Sequence, residues 1–401
     1  MMQNEPIKNK EMLKAKDIIF INSHPIQYFA PLYKYMNVHG VRTKCWYGSD
    51  ESLGLSEDKE FGVKIQWDIP LLEGYESRFF KNYSWKPSHF SGFFGLMNMG
   101  MIWELFKIKK SVIVVHGWHY FIHFVVLVLG GLRGHTICIR CDVPLKQEEL
   151  KTGMKQKFKY FFYKYFLFSR IDKFLYIGEQ NRLFYKSYGI KDDRLLFCPY
   201  AVDNDRFKAS SENLQPHRNE IKSKFGIGSS EKVIVFSGKY IDKKKPLDIL
   251  AAFKKLDRKD CWLVMVGEGI LRSAMEKYIQ ESNLSNVILT GFVNQSEIPE
   301  YYAIADVFVM CSKVGENWGL SVNEAMNFNT PVLLSDFTGS AEDLVIDGVN
   351  GFTFETGNTD QMKDYLERIL YHDALTFEPD SLKIVDKYSF WNDTEQLKTL
   401  V

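Results

Sequence analysis

The stretch from Val307 to Glu342 constrains this chain more than any other. It opens on an apolar run, Asp306-Val-Phe-Val-Met310, with the length and composition of a buried strand. A loop follows, Cys311-Ser-Lys-Val-Gly-Glu-Asn-Trp-Gly319, and Leu320 to Asn329 then supplies a helix. Pro331-Val-Leu-Leu-Ser335 is a second buried strand, and Thr338-Gly-Ser-Ala-Glu342 is a small-residue turn before another helix. Gly319 stands where the first helix begins, so free backbone N–H groups there can point at an anion. Glu316 lies before the helix start and Glu324 about one turn inside it, so both carboxylates can face one ligand.

The same alternation runs through the whole chain. In the first half the apolar runs are Asp17-Ile-Ile-Phe-Ile-Asn22, Thr43-Lys-Cys-Trp-Tyr47, Ser111-Val-Ile-Val-Val115, Thr136-Ile-Cys-Ile-Arg140 and Lys173-Phe-Leu-Tyr-Ile177. Helices are expected near Leu32 to Val38, over Lys155 to Arg170, and at about 179–188. In the second half the strands start with Lys232-Val-Ile-Val-Phe-Ser-Gly238, Trp262-Leu-Val-Met-Val-Gly-Glu-Gly269 and Val287-Ile-Leu-Thr-Gly-Phe292, and end at Gly351-Phe-Thr-Phe354. Strands alternating with helices predict parallel sheets. A chain of 401 residues is too long for one ordinary core. The expectation is therefore an α/β chain of two Rossmann-like, doubly wound domains facing a central cleft, 1–205 and 206–384, with a tail at about 385–401 that packs back on the first. Residues 204–228 read as a polar connection, and the irregular, aromatic residues 50–96 as a substrate-facing insertion.

Composition narrows the class. Hydrophobic content of 45% and charged content of 25% are those of a soluble globular protein. The net charge of +1 hides an asymmetry: residues 1–200 hold 29 Lys and Arg against 19 Asp and Glu, a charge of +10, and residues 201–401 hold 22 against 31, a charge of −9. The basic half suits an anionic partner, a membrane surface or a phosphate-bearing substrate, and nothing points to nucleic acid. Of six scattered cysteines only Cys138 and Cys141 have CxxC spacing, and no second pair completes a zinc site, so reduced cytosolic thiols are expected. Met1 to Lys16 is polar, with no apolar core of a signal peptide, and Phe121 to Leu132 is too short to span a bilayer.

Several motifs stand in a fixed order: Gly238-Lys239, Lys244-Lys245, Val266-Gly-Glu-Gly269, Gly291-Phe292, the Glu316 to Glu324 stretch and Gly339-Ser-Ala-Glu342. With two Rossmann-like halves, this order resembles glycosyltransferase family 4, enzymes of the GT-B fold that retain anomeric configuration. The resemblance covers nearly the whole chain, including Pro199-Tyr-Ala-Val-Asp-Asn-Asp-Arg-Phe207 as the interdomain segment. His24-Pro-Ile-Gln-Tyr-Phe-Ala-Pro31 and Trp67-Asp-Ile-Pro-Leu-Leu-Glu-Gly-Tyr75 resemble a bacterial subgroup of surface-polysaccharide assembly, lipopolysaccharide included.

The resemblance assigns roles. Glu324 accepts the nucleotide ribose hydroxyls, Glu316 sits by the transferred sugar, and the N–H groups of Gly319 and Leu320 meet the pyrophosphate. Asn317 stands where the family usually has Pro. Lys239 replaces the family's Arg beside the leaving diphosphate, keeping the charge but losing the bidentate fork. One extra residue before Pro246 leaves open whether Lys244 or Lys245 is the second cation. Gly291 and Phe292 offer backbone groups to the base, and Gly267 and Gly269 permit close approach of the chain. The family also places a His where His116 ends its strand, which makes His116 a catalytic residue; by position alone, His24 in the first strand-to-helix loop and Arg140 and Asp142 at another strand end are expected at the acceptor.

The segment 155–170 carries Lys155, Lys157, Lys159 and Lys164 among Phe and Tyr. It reads either as an ordinary core-facing helix or as an attachment to anionic lipid. The expectation is a cytoplasmic glycosyltransferase, peripheral on the inner face of the cytoplasmic membrane. It would use a nucleotide-diphosphate sugar and a saccharide or lipid-linked acceptor. No cofactor is required, and with no Asp-x-Asp at a strand end, no metal. A nucleotide-sugar epimerase, hydrolase or phosphorylase on the same fold and a non-catalytic sugar-nucleotide binder are the rivals.

Overall fold

The computed structural model describes residues 16–54, 56–58, 63–372 and 380–401, so the N-terminal leader lies outside it but for Lys16. The chain divides into two compact units. The first comprises the described residues up to Gly54, Pro70–Pro199 and Phe390–Val401; the second takes the segment between Gly54 and Pro70 together with Tyr200–Ser389.

The first unit is built on β1 (Ile18–Asn22), β2 (Thr43–Tyr47), β3 (Glu76–Phe79), β4 (Val112–His116), β5 (Thr136–Arg140), β6 (Lys173–Tyr176) and β7 (Leu195–Phe197). All pair in parallel, in the order β3-β2-β1-β4-β5-β6-β7. The second unit has β8 (Lys232–Ser237), β9 (Cys261–Val266), β10 (Val287–Leu289), β11 (Val307–Met310), β12 (Val332–Ser335) and β13 (Gly351–Phe354), in the order β10-β9-β8-β11-β12-β13. Both orders reverse direction beside the first strand of the unit. β1 lies next to β4, with Ile18 opposite Val112, and β8 next to β11, with Ile234 opposite Val307. In an open parallel sheet this reversal splays two successive loops apart at the carboxyl ends and leaves room for a ligand. The central strands are unbroken apolar runs because helices cover both faces; Val112 to Val115 and Val307 to Met310 are fully buried.

Some segments differ from the expectation. Residues 204–228 are not a polar connection but two helices, Asn204–Leu214 and Arg218–Lys224. The Asp203 side chain caps the first by accepting from the Arg206 N–H, and single apolar residues, Phe207 and Ile221, suffice to seat them. The aromatic segment does not run through as one helix. Met154–Phe162 is α-helical, Tyr163–Leu167 widens into a π turn, and Phe168–Arg170 tightens into a 3-10 turn. Leu167 and Phe168 alone of this stretch are fully buried. Within the expected insertion, Glu76–Phe79 adds a parallel edge strand, and Ser56–Asp58 pairs antiparallel with Val63–Ile65.

The tail helix Phe390–Lys398 carries Asp393 into the first unit, where it is wholly buried against Arg140. The six cysteines are buried thiols, and burial pushes Cys141 up to about 11. Among the described residues no helix is long and apolar enough to cross a membrane.

Candidate functional site

The second unit gathers its candidate residues at the β8/β11 reversal. Lys239 follows β8, and Glu316 stands in the loop after β11. Lys244 pairs with Glu316 through Nζ and Oε2, and both side chains are largely buried. Ser312 Oγ donates to the same oxygen at 3.4 Å. Burial alone raises the Glu316 carboxyl, but Lys244, Lys243 and the Ser312 hydroxyl outweigh it and hold it below the usual carboxylate range. The carboxylate is therefore ionised and charge-balanced.

The structure separates the two candidate lysines. Lys245 takes a left-handed backbone, φ 50°, which absorbs the extra residue before Pro246 and caps the helix Pro246–Leu256. Its Nζ turns to Asp242 at 3.4 Å, and Lys244 is the one at Glu316. The turn is tied down by Cys311, whose thiol donates to the carbonyls of Lys244 and Lys245 at 3.2 and 3.1 Å.

Gly319 opens the helix Leu320–Met326 at φ 96°, a left-handed conformation that favours glycine. Glu324, inside that helix, is 2% exposed. Its Oε2 accepts from Tyr302 Oη at 2.6 Å and its Oε1 from Gln295 Nε2 at 3.2 Å. Arg206 fixes Gln295 in turn, donating to its backbone O at 2.8 Å and to Oε1 at 2.7 Å. Tyr302, Gln295, Arg206 and Ser312 were invisible to motif reading. Tyr302, Gln295 and Arg206 come from other elements, with no local spacing to a carboxylate, whereas Ser312 stands four positions before Glu316 in the same loop.

Close backbone approach explains a second group of residues. At Gly267 a Cβ would meet the Gly238 carbonyl at 2.0 Å, and the Gly267 N–H donates to the Gly291 carbonyl at 3.0 Å. The ends of β8, β9 and β10 are thereby drawn together beside Lys239. Gly339 packs as tightly on Asn317, and its N–H donates to the Glu316 carbonyl at 3.1 Å, so the small-residue turn fixes the Glu316 loop. Phe292 meets Trp67 edge-on at 6.0 Å. Asp68 accepts from the Ser296 N–H at 3.0 Å, which sets the 66–68 segment beside Gly291 and Phe292.

In the first unit His24 follows β1 and His116 ends β4, the two strands that flank the reversal. His116 ends β4 against the Phe29 ring at 4.5 Å, with its Nε2 3.5 Å from Tyr33 Oη. Burial, then the charge of Arg140 and then His123 hold it well below the usual imidazole range. His24 stacks on His89 at 4.0 Å, and Ser23 Oγ lies 2.9 Å from its Nδ1. Burial first, and the His89 charge second, push it down to about 3 against the pull of Glu51. His89 is held by Glu51, which also accepts from the His89 N–H and from Ser88 Oγ, both at 3.1 Å. His89 and Glu51 lie in the irregular stretch where sequence offers no frame.

Asp142 follows β5 and is half-buried. Arg140 does not meet the expectation of an acceptor contact. It is 2% exposed, donates to the carbonyls of Cys198 and Pro199 at 3.3 and 2.6 Å, and lies 3.3 Å from Asp393. A strand-end position put it near the site, but its side chain turns inward to the tail helix. Among the described residues no group of three or more His, Cys, Asp or Glu is placed to hold a metal ion.

Residues 217–378 match the family model described as "Glycosyl transferases group 1". The chain is 27% identical over 170 residues to an alpha-D-kanosaminyltransferase of Streptomyces kanamyceticus, covering 42% of this chain and 43% of that one. It is 30% identical over 166 residues to the alpha-monoglucosyldiacylglycerol synthase of Acholeplasma laidlawii, covering 41% of each. The matches thus span less than half the length of these relatives. The structure of Anabaena Alr3699/HepE in complex with UDP and glucose superposes with a TM-score of 0.69 over 96% of this chain and 99% of that one, at 13% identity. The fold class is α/β, with two parallel-sheet, Rossmann-like domains as in GT-B glycosyltransferases.

Proposed function

We propose that the protein is a retaining glycosyltransferase that moves a sugar from a nucleoside-diphosphate donor to a saccharide or lipid-linked saccharide acceptor. The setting is cell-surface polysaccharide or lipopolysaccharide assembly on the cytoplasmic face of the membrane. One observation carries the reading: at the β8/β11 reversal, Lys244 sits on Glu316 and a fixed Glu324 stands one helical turn beyond Gly319. The family match over residues 217–378 supports it, and the relative that makes a glycolipid supports a lipid-linked acceptor.

In this mechanism Glu324 receives the two ribose hydroxyls. Its two oxygens are held in place by Gln295 and Tyr302, and a carboxylate suits two adjacent hydroxyls because it can accept on both oxygens. Gly319 and Leu320 give N–H groups to the diphosphate. Lys244 exchanges Glu316 for the departing phosphate, and Lys239 adds a second positive charge where negative charge develops. The sugar–phosphate C–O bond breaks as the acceptor oxygen bonds to the same carbon on the same face, and the acceptor proton passes to the leaving phosphate oxygen. Glu316 holds the transferred sugar; in the first unit His116 and His24, both neutral, are suited to accept hydrogen bonds from hydroxyls. No divalent metal is required.

The test is thermal stabilisation by a panel of nucleoside-diphosphate sugars, with and without EDTA. A donor at about a hundred times its Kd stabilises by roughly 2.7 kcal/mol. A panel in which none stabilises, or one in which every effect vanishes with EDTA and returns with manganese, overturns the reading. Nucleoside diphosphate released equally fast without acceptor identifies a hydrolase instead.

A further inference from the structure

We infer that the first unit docks on an anionic phospholipid bilayer through one continuous aromatic surface built from two separate segments, the 83–103 region and the 154–166 segment. The inference rests on the proposed reading only for its use, the delivery of a lipid-linked acceptor. The surface itself stands on its own geometry.

The helix Phe121–Leu129, Phe-Ile-His-Phe-Val-Val-Leu-Val-Leu, has no charged residue, and a helix apolar all round belongs inside a protein or against lipid. Its inner side is buried through Ile122, Val126 and Leu127, but Phe121, Phe124, Val125 and Val128 form an outer stripe that the protein covers only in part. Aromatic rings extend this stripe in both directions. On one side Trp85 meets Phe94 at 5.5 Å, and Phe94 meets Phe121 at 6.0 Å. On the other, Phe124 stacks with Phe162 at 6.1 Å, and Phe162 with Phe158 at 6.4 Å. Trp85 is 71% exposed and Phe158 73%, so the run ends in rings that nothing in the unit buries.

Charge selects the occupant. Residues 150–171 hold six Lys and Arg and no Asp or Glu, and residues 77–110 hold six against the single Glu104. Glu104 is paired with Arg78 at 3.1 Å, and Glu148, which faces the 154–162 helix, is paired with Lys151 and Lys159. An exposed apolar band rimmed by cations, with Glu104 and Glu148 already paired, matches lipid tails below anionic headgroups. A protein partner would need complementary acids around an apolar centre, and a second copy would set like charge against like. The same surface reaches the candidate acceptor side, because exposed Phe90 packs on His89 at 3.9 Å and His89 stacks on His24.

The experiment is co-sedimentation of the full chain with vesicles rich in phosphatidylglycerol, against vesicles of phosphatidylcholine alone, over a salt series. Binding to the anionic vesicles is expected, falling as salt rises. Trp85→Ser with Phe94→Ser should weaken partitioning by about tenfold, and Phe158→Ser by a similar factor, with unchanged circular dichroism melting curves. Binding that only the helix variant weakens overturns the two-segment surface. No binding to any vesicle, together with a dimer in light scattering that Trp85→Ser dissociates, makes the surface a contact between copies and overturns the bilayer. Donor stabilisation of the same variants is measured separately, so loss of docking and failure of the glycosyltransferase reading are distinguishable.

Discussion

The two units share a strand order but handle charge at the reversal in opposite ways. In the second, buried Glu316 is kept ionised by Lys244. In the first, His24 and His116 are kept neutral chiefly by burial, helped at His116 by the Arg140 charge. The contrast fits a division of labour. A diphosphate brings charge and needs fixed cations close by, whereas a sugar hydroxyl needs a neutral acceptor held in one orientation.

Breaking the Lys244–Glu316 pair tests the charged side most severely. Lys244→Met strands a buried carboxylate and should cost about 3–5 kcal/mol in urea unfolding, whereas Lys245→Met should stay within about 0.5 kcal/mol. The sign with pH follows from the lowered Glu316 pKa. Its stabilisation is present above the unfolded value of 4.5 and is lost as pH falls through the folded pKa, so wild-type stability should drop below about pH 4.5. A Lys244→Met protein as stable as wild type would show that the pair is not buried in solution.

Glu324→Ala comes next. Losing two charge-assisted hydrogen bonds to ribose should weaken nucleotide affinity by about 3 kcal/mol, roughly a hundredfold in calorimetric Kd. Unchanged affinity would remove Glu324 from the donor site.

The tail gives a smaller effect of the opposite pH sign. Burial raises Asp393 to about 7, against the pull of Arg140, so its contribution is full below the unfolded value of 3.8 and is lost as pH rises through about 7. Stability should therefore decline from pH 5 to 8 by on the order of 2–3 kcal/mol, and Asp393→Asn should flatten that slope. A slope that survives the substitution belongs to another group. Smallest of all is the His24 readout: its ring resonances should not titrate until pH nears 4 or below, and a midpoint near 6.5 would erase the contrast between the units.

Much of this architecture is legible in the sequence because it is local. A short, β-branched apolar run bounded by turn residues reads as a buried strand, so Thr136–Arg140 and Val307–Met310 fall where patterning puts them. Gly319 between Glu316 and Glu324 marks a helix start for the same reason. The helices at 204–224 were missed because two buried residues, Phe207 and Ile221, are too few to set a visible period.

What tertiary structure alone decided is which partners meet. Lys244 rather than Lys245 faces Glu316 because one left-handed residue turns the chain, and Tyr302 and Gln295 reach Glu324 from 22 and 29 positions away. Arg140 has the strand-end position of a site residue, yet it faces Asp393, more than 250 positions later, because folding brings the tail helix against β5. Periodicity and turn chemistry are properties of neighbours in the chain. The charge state of a buried group depends on neighbours in space, and only the folded chain supplies those.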